Sequence, residues 1–445
     1  MSDPPSSWLA HGVGGPGDLP IPAAYAFIGA ASALLISFAV LAFAWRTSRF
    51  DGARSGRPLP RPLARLVDSP VTRAVLVVLA LAFTAWVAAA AVFGPDILVN
   101  PTFGSVYVLL WVGLVPAALL FGRVYRLCNP LRWLHRGISR LAGIDPHQGL
   151  FAYPRRLGYW PAAFFLFCFV WLELVDPQVT TSLSAVRLWF AIVSVLLLLG
   201  AAVFGDTWFE YADPFEAYST LVAHLSPFAR RDDGVLVVRN PLENLDSLEP
   251  RPGLVGALGV LLGSTAFESF QSSVRWLRFA QDIADHQTLI NTFVLAGFCV
   301  AVMLTFAAAS VATGGIGHLH RRRLPNQLAH CVVPIVVGYI VAHYLSYFVA
   351  MGTQTVQQLG DPLSRGWQTT AWLSGIDKYE IYNHPTALAV TKVVAIVVGH
   401  VLGVIAAHDR AVRLLPKRHA LVGQLPMLLL MVGYTLTGLF LLFSS

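Results

Sequence analysis

The sequence predicts an all-α fold, a polytopic membrane helix bundle of about ten transmembrane helices with both termini outside. Three observations carry this expectation. The 445-residue chain is 56% hydrophobic and only 12% charged, with a mean hydropathy of +0.63; a soluble domain carries roughly twice that charge. Apolar runs of about 20 residues, enough to cross hydrocarbon as a helix, recur along the chain. They are continuous rather than alternating, which argues against a β-barrel. Finally, the arginines collect in alternate loops. The net charge of +7 therefore reflects topology, and no nucleic-acid partner is expected.

Taken in order, the spans are placed at 23–45, 71–93, 104–122, 158–175, 185–205, 254–274, 290–313, 328–350, 387–408 and 422–443. Arg46 to Arg65 follow the first, Arg123 to Arg156 the third, Arg321 to Arg323 precede the eighth, and Arg410 to Arg418 follow the ninth. The other loops hold few cations, such as Arg187, Arg275 and Lys378. Basic loops stay in the cytoplasm, which puts both termini outside. The opening MSDPPSSWLAHGVGGPGDLPIP lacks a basic region and an apolar core, so 1–22 reads as an outer tail rather than a signal peptide. Residues 23–205 form a first five-helix half, 206–253 a cytoplasmic loop with a surface helix, and 254–445 a second five-helix half. Cys128, Cys168, Cys299 and Cys331 form no Cys-x-x-Cys pair and read as small apolar residues. Gly259 with Gly263, and Gly399 with Gly403, are spaced for close helix approach.

A weak repeat links two exits, FGRVYRLCNPLRWL (121–134) and FGDTWFEYADPFEAY (204–218). In each, Asn129 or Asp213 precedes a proline, the signature of an N-cap with proline at the first helical position. Each exit is therefore expected to bend into an amphipathic helix along the cytoplasmic face. The outer loop 351–386 joins the eighth and ninth spans and is placed to cover a site opened from outside.

Those two spans carry the chemistry. His343 lies within LAHCVVPIVVGYIVAHYLSYFV and His400 within LAVTKVVAIVVGHVLGVIAAH, while Glu268 lies in the apolar STAFESF. An ionisable group inside hydrocarbon costs about 2.5 kcal/mol or more, so it usually faces a partner, a cavity or a metal. At ~1.5 Å per residue, Glu268 and His343 both stand about 20 Å from the cytoplasmic ends of their spans, and His400 about 12 Å. That mismatch weighs against a single three-ligand site. Tyr347, four residues from His343, shares its face; His408 drifts round from His400. His11 in the tail and His384 at the end of the outer loop could reach an outer site. Glu173, Asp176 and Asp361 read as solvated residues at outer span ends. Imidazoles with a carboxylate suit zinc, iron, manganese or copper and leave a position for water. Facing histidines also suit haem, and a deep His/Glu set also suits an ion or proton path or a helix-locking hydrogen bond. No HExxH, nucleophile elbow or phosphate-binding glycine loop selects a reaction.

The opening AHGVGGPGDLPIP, the two proline exits, FESF, VAHY and VVGHVLGVIAAHDRAV together resemble bacterial multi-pass proteins labelled fenitrothion hydrolase. The resemblance is carried by short motifs scattered over most of the chain. It implies a membrane-bound organophosphorus hydrolase, with His343, His400 and His408 carried over by motif and Glu268 standing where relatives have Asp-Gly. On that expectation Glu268, His343 and His400 bind a divalent metal whose hydroxide attacks a hydrophobic phosphotriester entering beneath the outer loop. The alternatives are a metal-ion or proton transporter, a haem-bearing subunit, or a structural subunit. Beyond the lipid bilayer, a second membrane subunit or a homo-oligomer is the partner expected.

Overall fold

Apolar sequence of this length becomes helix because a backbone in hydrocarbon must satisfy its polar groups internally. The computed structural model describes residues 22–52, 54–282, 286–313, 321–416 and 422–444. The 1–22 tail, with His11, therefore lies outside the described residues apart from Pro22.

Helix α1 (Ala23–Ala44) leads to strand β1 (Arg57–Pro58), α2 (Arg61–Asp68) and α3 (Pro70–Phe93). Next come α4 (Pro101–Leu110), whose Ser105–Leu110 stretch is wound as π-helix, and α5 (Leu114–Phe121). Then follow α6 (Val124–Cys128), α7 (Pro130–Leu141), α8 (Trp160–Leu174), α9 (Pro177–Thr180), α10 (Leu183–Phe204), α11 (Thr207–Ala212) and α12 (Pro214–Ala223). Strands β2 (Phe228–Arg230) and β3 (Leu236–Val238) precede α13 (Pro241–Asp246), α14 (Leu254–Gln271), α15 (Val274–Asp282) and α16 (Gln287–Ala312). The last helices are α17 (Leu324–Leu328), α18 (Val333–Gln358), α19 (Pro385–Leu414) and α20 (Leu425–Ser444).

The protein is an all-α membrane bundle. Among the described residues, 8 helices are long and apolar enough to cross a membrane. The segment expected as the third span is instead the pair α4–α5, bent by 43°. The expected fourth span is α8, with 15 residues. At ~1.5 Å per residue it spans about 22 Å, short of the hydrocarbon thickness. The strands form one small antiparallel sheet in the order β1-β3-β2, joining the loop after α1 to the loop before α13.

Burial sorts the helices. The apolar window of α14 is 78% buried and that of the Leu324–Gln358 stretch 83%, against 11% for α3. The core is thus α14 and α18, with α8, α16 and α19 around them. Helix α1 packs on α19 and α20, so the first helix belongs with the last two in space.

The 206–253 segment, expected as a cytoplasmic loop with a surface helix, is instead buried in the bundle from Tyr211 to Ser226. Helix α11 runs back along α10: the Trp208 ring lies against Gly200, Phe209 joins Leu197 and Ala201, and Phe215 stacks on Phe190 at 6.3 Å. All of α12 is buried. The aromatic residues of WFEYADPFEAY are shared between α11 and α12: Tyr211 packs against Tyr153 and Tyr159, and Tyr218 lies 5.0 Å from Trp111 at the break between α4 and α5.

The two proline exits do form matching turns. Gly122 and Gly205 both take positive φ, 69° and 67°, at the helix ends. Asn129 accepts from the backbone of Leu131 and Arg132, and Asp213 from Phe215 and Glu216. The two caps meet: Asn129 Nδ2 donates to Asp213 Oδ2 and to Glu216 Oε2, both at 2.9 Å. Arg132 completes the buried cluster by pairing with Glu216 and, at 3.4 Å, with Asp206.

Candidate functional site

Glu268 and His343 are brought together. The first projects from α14 and the second from α18, both buried, with His343 Nε2 3.3 Å from Glu268 Oε1. Tyr344 donates its hydroxyl to the other Glu268 oxygen, Oε2. On the far side of the imidazole, Ser269 Oγ is 3.2 Å from Nδ1, and the Tyr339 hydroxyl donates to Ser269 Oγ at 2.9 Å. The Tyr339 ring stacks parallel to the imidazole and the Tyr344 ring meets it edge-on at 4.6 Å. Tyr339, His343 and Tyr344 occupy one side of α18, and Glu268 with Ser269 the facing side of α14. Tyr339 O–H donates to Ser269 Oγ, Ser269 Oγ and Nδ1 share a hydrogen bond, and Nε2 stands at ion-pair distance from Glu268 Oε1, outside hydrogen-bond geometry.

Glu173 belongs to this region, which corrects its reading as a solvated residue at a span end. It is 3% exposed, and neither carboxyl oxygen has a hydrogen-bond partner among the described residues. It lies within electrostatic reach of Glu268, Tyr344 and Tyr347. The short loop holding α9 folds over it, where Thr180 Oγ1 donates to the carbonyls of Leu172 and Glu173. Tyr347 packs beside Tyr344 with ring centroids 6.3 Å apart.

His400 stands elsewhere. Helices α18 and α19 touch through glycines: a Cβ on Gly338 would lie 2.4 Å from the Ala395 carbonyl, and one on Gly403 would lie 2.8 Å from that of Cys331. This antiparallel register sets His400 level with about residue 334, nine residues below His343, or about 13 Å along the axis. His400 Nδ1 donates to the Ile396 carbonyl at 2.8 Å, and Nε2 has no hydrogen-bond partner among the described residues. The expected three-ligand set is therefore divided. Among the described residues no group of three or more His, Cys, Asp or Glu side chains could hold a metal ion.

The remaining candidates serve the scaffold. His408 is latched between Gln424 Oε1 and the Trp45 carbonyl, both at 2.9 Å, and the neighbouring Asp409 accepts from Trp45 Nε1, Ser48 Oγ and the Arg49 amide. These contacts pin the end of α1 to α19. His384 is exposed, 3.4 Å from Glu380. The outer loop does approach the site, because the Tyr382 hydroxyl bonds Ser346, one turn beyond His343.

The same register places Lys392 level with His343. It is 4% exposed, on the α19 face that packs against α18. Sequence reasoning passed over it, although a lysine inside LAVTKVVAIVVGH is the same signal that singled out Glu268.

The fold and site thus define a polytopic α-helical membrane protein with a buried carboxylate–imidazole pair at its centre. Comparison with family models, curated proteins and solved structures finds no match for the chain.

Proposed function

We propose that this is a proton-translocating protein of the bacterial inner membrane, with Glu268 and His343 as its proton-exchange pair. The observation that supports this reading is the facing of Glu268 Oε1 and His343 Nε2 across two buried helices. A carboxylate and an imidazole in hydrocarbon pass a proton between them without leaving a bare charge on both. Ser269 and Tyr339 extend the pair by two hydroxyls, each able to accept on one side and donate on the other. In the exchange step the imidazolium gives its Nε2 proton to the Glu268 carboxylate at Oε1, which leaves both groups neutral, while Nδ1 stays paired with Ser269; the reverse transfer restores the charged pair. Tyr382, bonded to Ser346, marks the approach from the outer loop.

A metal-dependent phosphotriester hydrolase needs a third protein donor beside this pair. His400 is about 13 Å away along the axis and does not supply it. The residues present do not fit that metal centre, and no hydrolytic step follows from them.

The test is proton flux into potassium-loaded vesicles containing the reconstituted protein and a trapped pH dye, with valinomycin imposing an inside-negative potential. Wild type should acidify the lumen. Glu268→Gln and His343→Gln should each slow it at least tenfold while keeping wild-type helicity and elution. Wild-type flux no faster than empty vesicles, or undiminished flux in folded Glu268→Gln, would sink the reading.

A further inference from the structure

The unused histidine lines a chamber of its own. Helices α14, α16, α18, α19 and α20 enclose a cavity of about 240 Å³ walled by Leu262, Phe298, Ile335, Tyr339, His400 and Leu441. An apolar cavity of ~150 Å³ takes a benzene ring, so this one takes a ring with substituents. Its mouth lies between α16 and α20, where Ala301 and Thr305 are exposed on the apolar outer surface of α16. A molecule entering there comes from the lipid.

The polar atoms of the wall are almost all spoken for. Tyr434 donates to the Val302 carbonyl at 3.0 Å and shares a 2.7 Å hydrogen bond with Thr305, and Tyr339 donates to Ser269. Thr437 adds an exposed hydroxyl at the rim, and among the buried polar side chains of the wall His400 is the exception. A carbonyl only accepts, so the contact with Ile396 fixes the proton of the imidazole on Nδ1. Nε2 of the neutral ring is then a bare acceptor, on a side chain that is 1% exposed and without a partner among the described residues.

From this geometry we infer a binding site for a lipid-soluble alcohol or phenol, its apolar body in the cavity and its hydroxyl donated to His400 Nε2. The chemistry selects a donor: an ether or ester of the same shape leaves Nε2 unpaired. The site shares Tyr339 with the hydroxyl chain of the Glu268–His343 pair, but its test reads ligand competition and not proton flux.

The experiment is photolabelling of the full-length protein in phosphatidylcholine vesicles with a diazirine-bearing alkylphenol. Unlabelled 4-propylphenol and its methyl ether, 4-propylanisole, serve as competitors. Labels should map to α14, α16 and α20, and the phenol should compete about tenfold better than the anisole, the loss expected for an unmade bond to a buried acceptor. His400→Phe keeps a ring in the wall and should erase that preference. Ala266→Phe, which fills the cavity from α14 and leaves His400 intact, should abolish labelling. Equal competition by phenol and anisole in wild type, labelling that survives Ala266→Phe, or a preference that survives His400→Phe would each overturn the assignment. Should His400→Phe fail to fold, the wild-type comparison and Ala266→Phe still decide.

Discussion

A buried carboxyl without hydrogen bonds is a cost the bundle carries at Glu173. Its two oxygens are enclosed beside a second acid, Glu268, with no partner among the described residues. An unsatisfied buried polar group costs about 1–3 kcal/mol. Replacing it by the neutral, equally sized amide should therefore keep or improve stability. We expect Glu173→Gln to melt no lower than wild type and to gain up to about 1–2 kcal/mol, while proton flux through Glu268 falls, the trade seen where a site is held strained for function. Parallel melting and flux curves check this; a variant that loses both stability and flux would make Glu173 a structural residue. The same residue shows a limit of sequence reading. Its number placed it near a span end, which suggests water. What removes the water is the loop at Thr180 and the Tyr107 ring nearby, contacts that no local pattern announces. Glu268 and His343 were legible because charge inside hydrocarbon is conspicuous, and counting turns from each span end already set His400 at another level.

Among elements, the paired caps are the joint most exposed to a single change. Asn129 and Asp213 cap α7 and α12 and also bond each other, so removing one side chain leaves the other's partner buried and unmet. Asn129→Ala and Asp213→Ala should each cost about 2–3 kcal/mol, a cap plus an orphaned group. The double variant should cost less than the sum by about 1–2 kcal/mol. Denaturation of all four proteins in one detergent checks the cycle; strict additivity would mean that the caps act separately. The caps themselves were plain in the sequence, since Asn-Pro and Asp-Pro each begin a helix. Their meeting was not, because two helix starts 84 residues apart give no hint that both chains turn back into the bundle. The bend between α4 and α5, which makes room for Tyr218 under Trp111, did have a signal in the sequence: Pro116 leaves the Val112 carbonyl at the break without its i+4 donor, and Gly113 lies beside it.

For the whole molecule, Asp246 ties the layer outside the bundle to the core. Arg410 of α19 pairs with it at 2.8 Å and Arg413 adds a second contact. Burial pushes the Asp246 carboxyl up, but the two guanidiniums outweigh it and hold it below the usual carboxylate range. A carboxyl lowered on folding stabilises above its unfolded value and loses that stabilisation as the pH falls through its folded value. Wild type should thus exceed Asp246→Asn by about 1–3 kcal/mol at pH 7, with Arg413 half-exposed and its share screened. The gap should close below about pH 4. Melting both proteins between pH 3 and 7 measures it; a gap independent of pH would remove the ion pair as its cause.

The partnership of α1 with α19 and α20 has a consequence for how the chain is made. Ribosomes deliver about 5–20 residues per second. Helix α1 waits for α19 and α20, which are synthesised more than 300 residues and about 20–70 s after it. Until then Trp45, Ser48 and Arg49 have no Asp409 to hold, and the α1 surface that α19 and α20 will cover faces lipid or a helper protein. A stop codon anywhere before α19 would leave the first span unpaired, so late truncations should be cleared by quality control as readily as early ones.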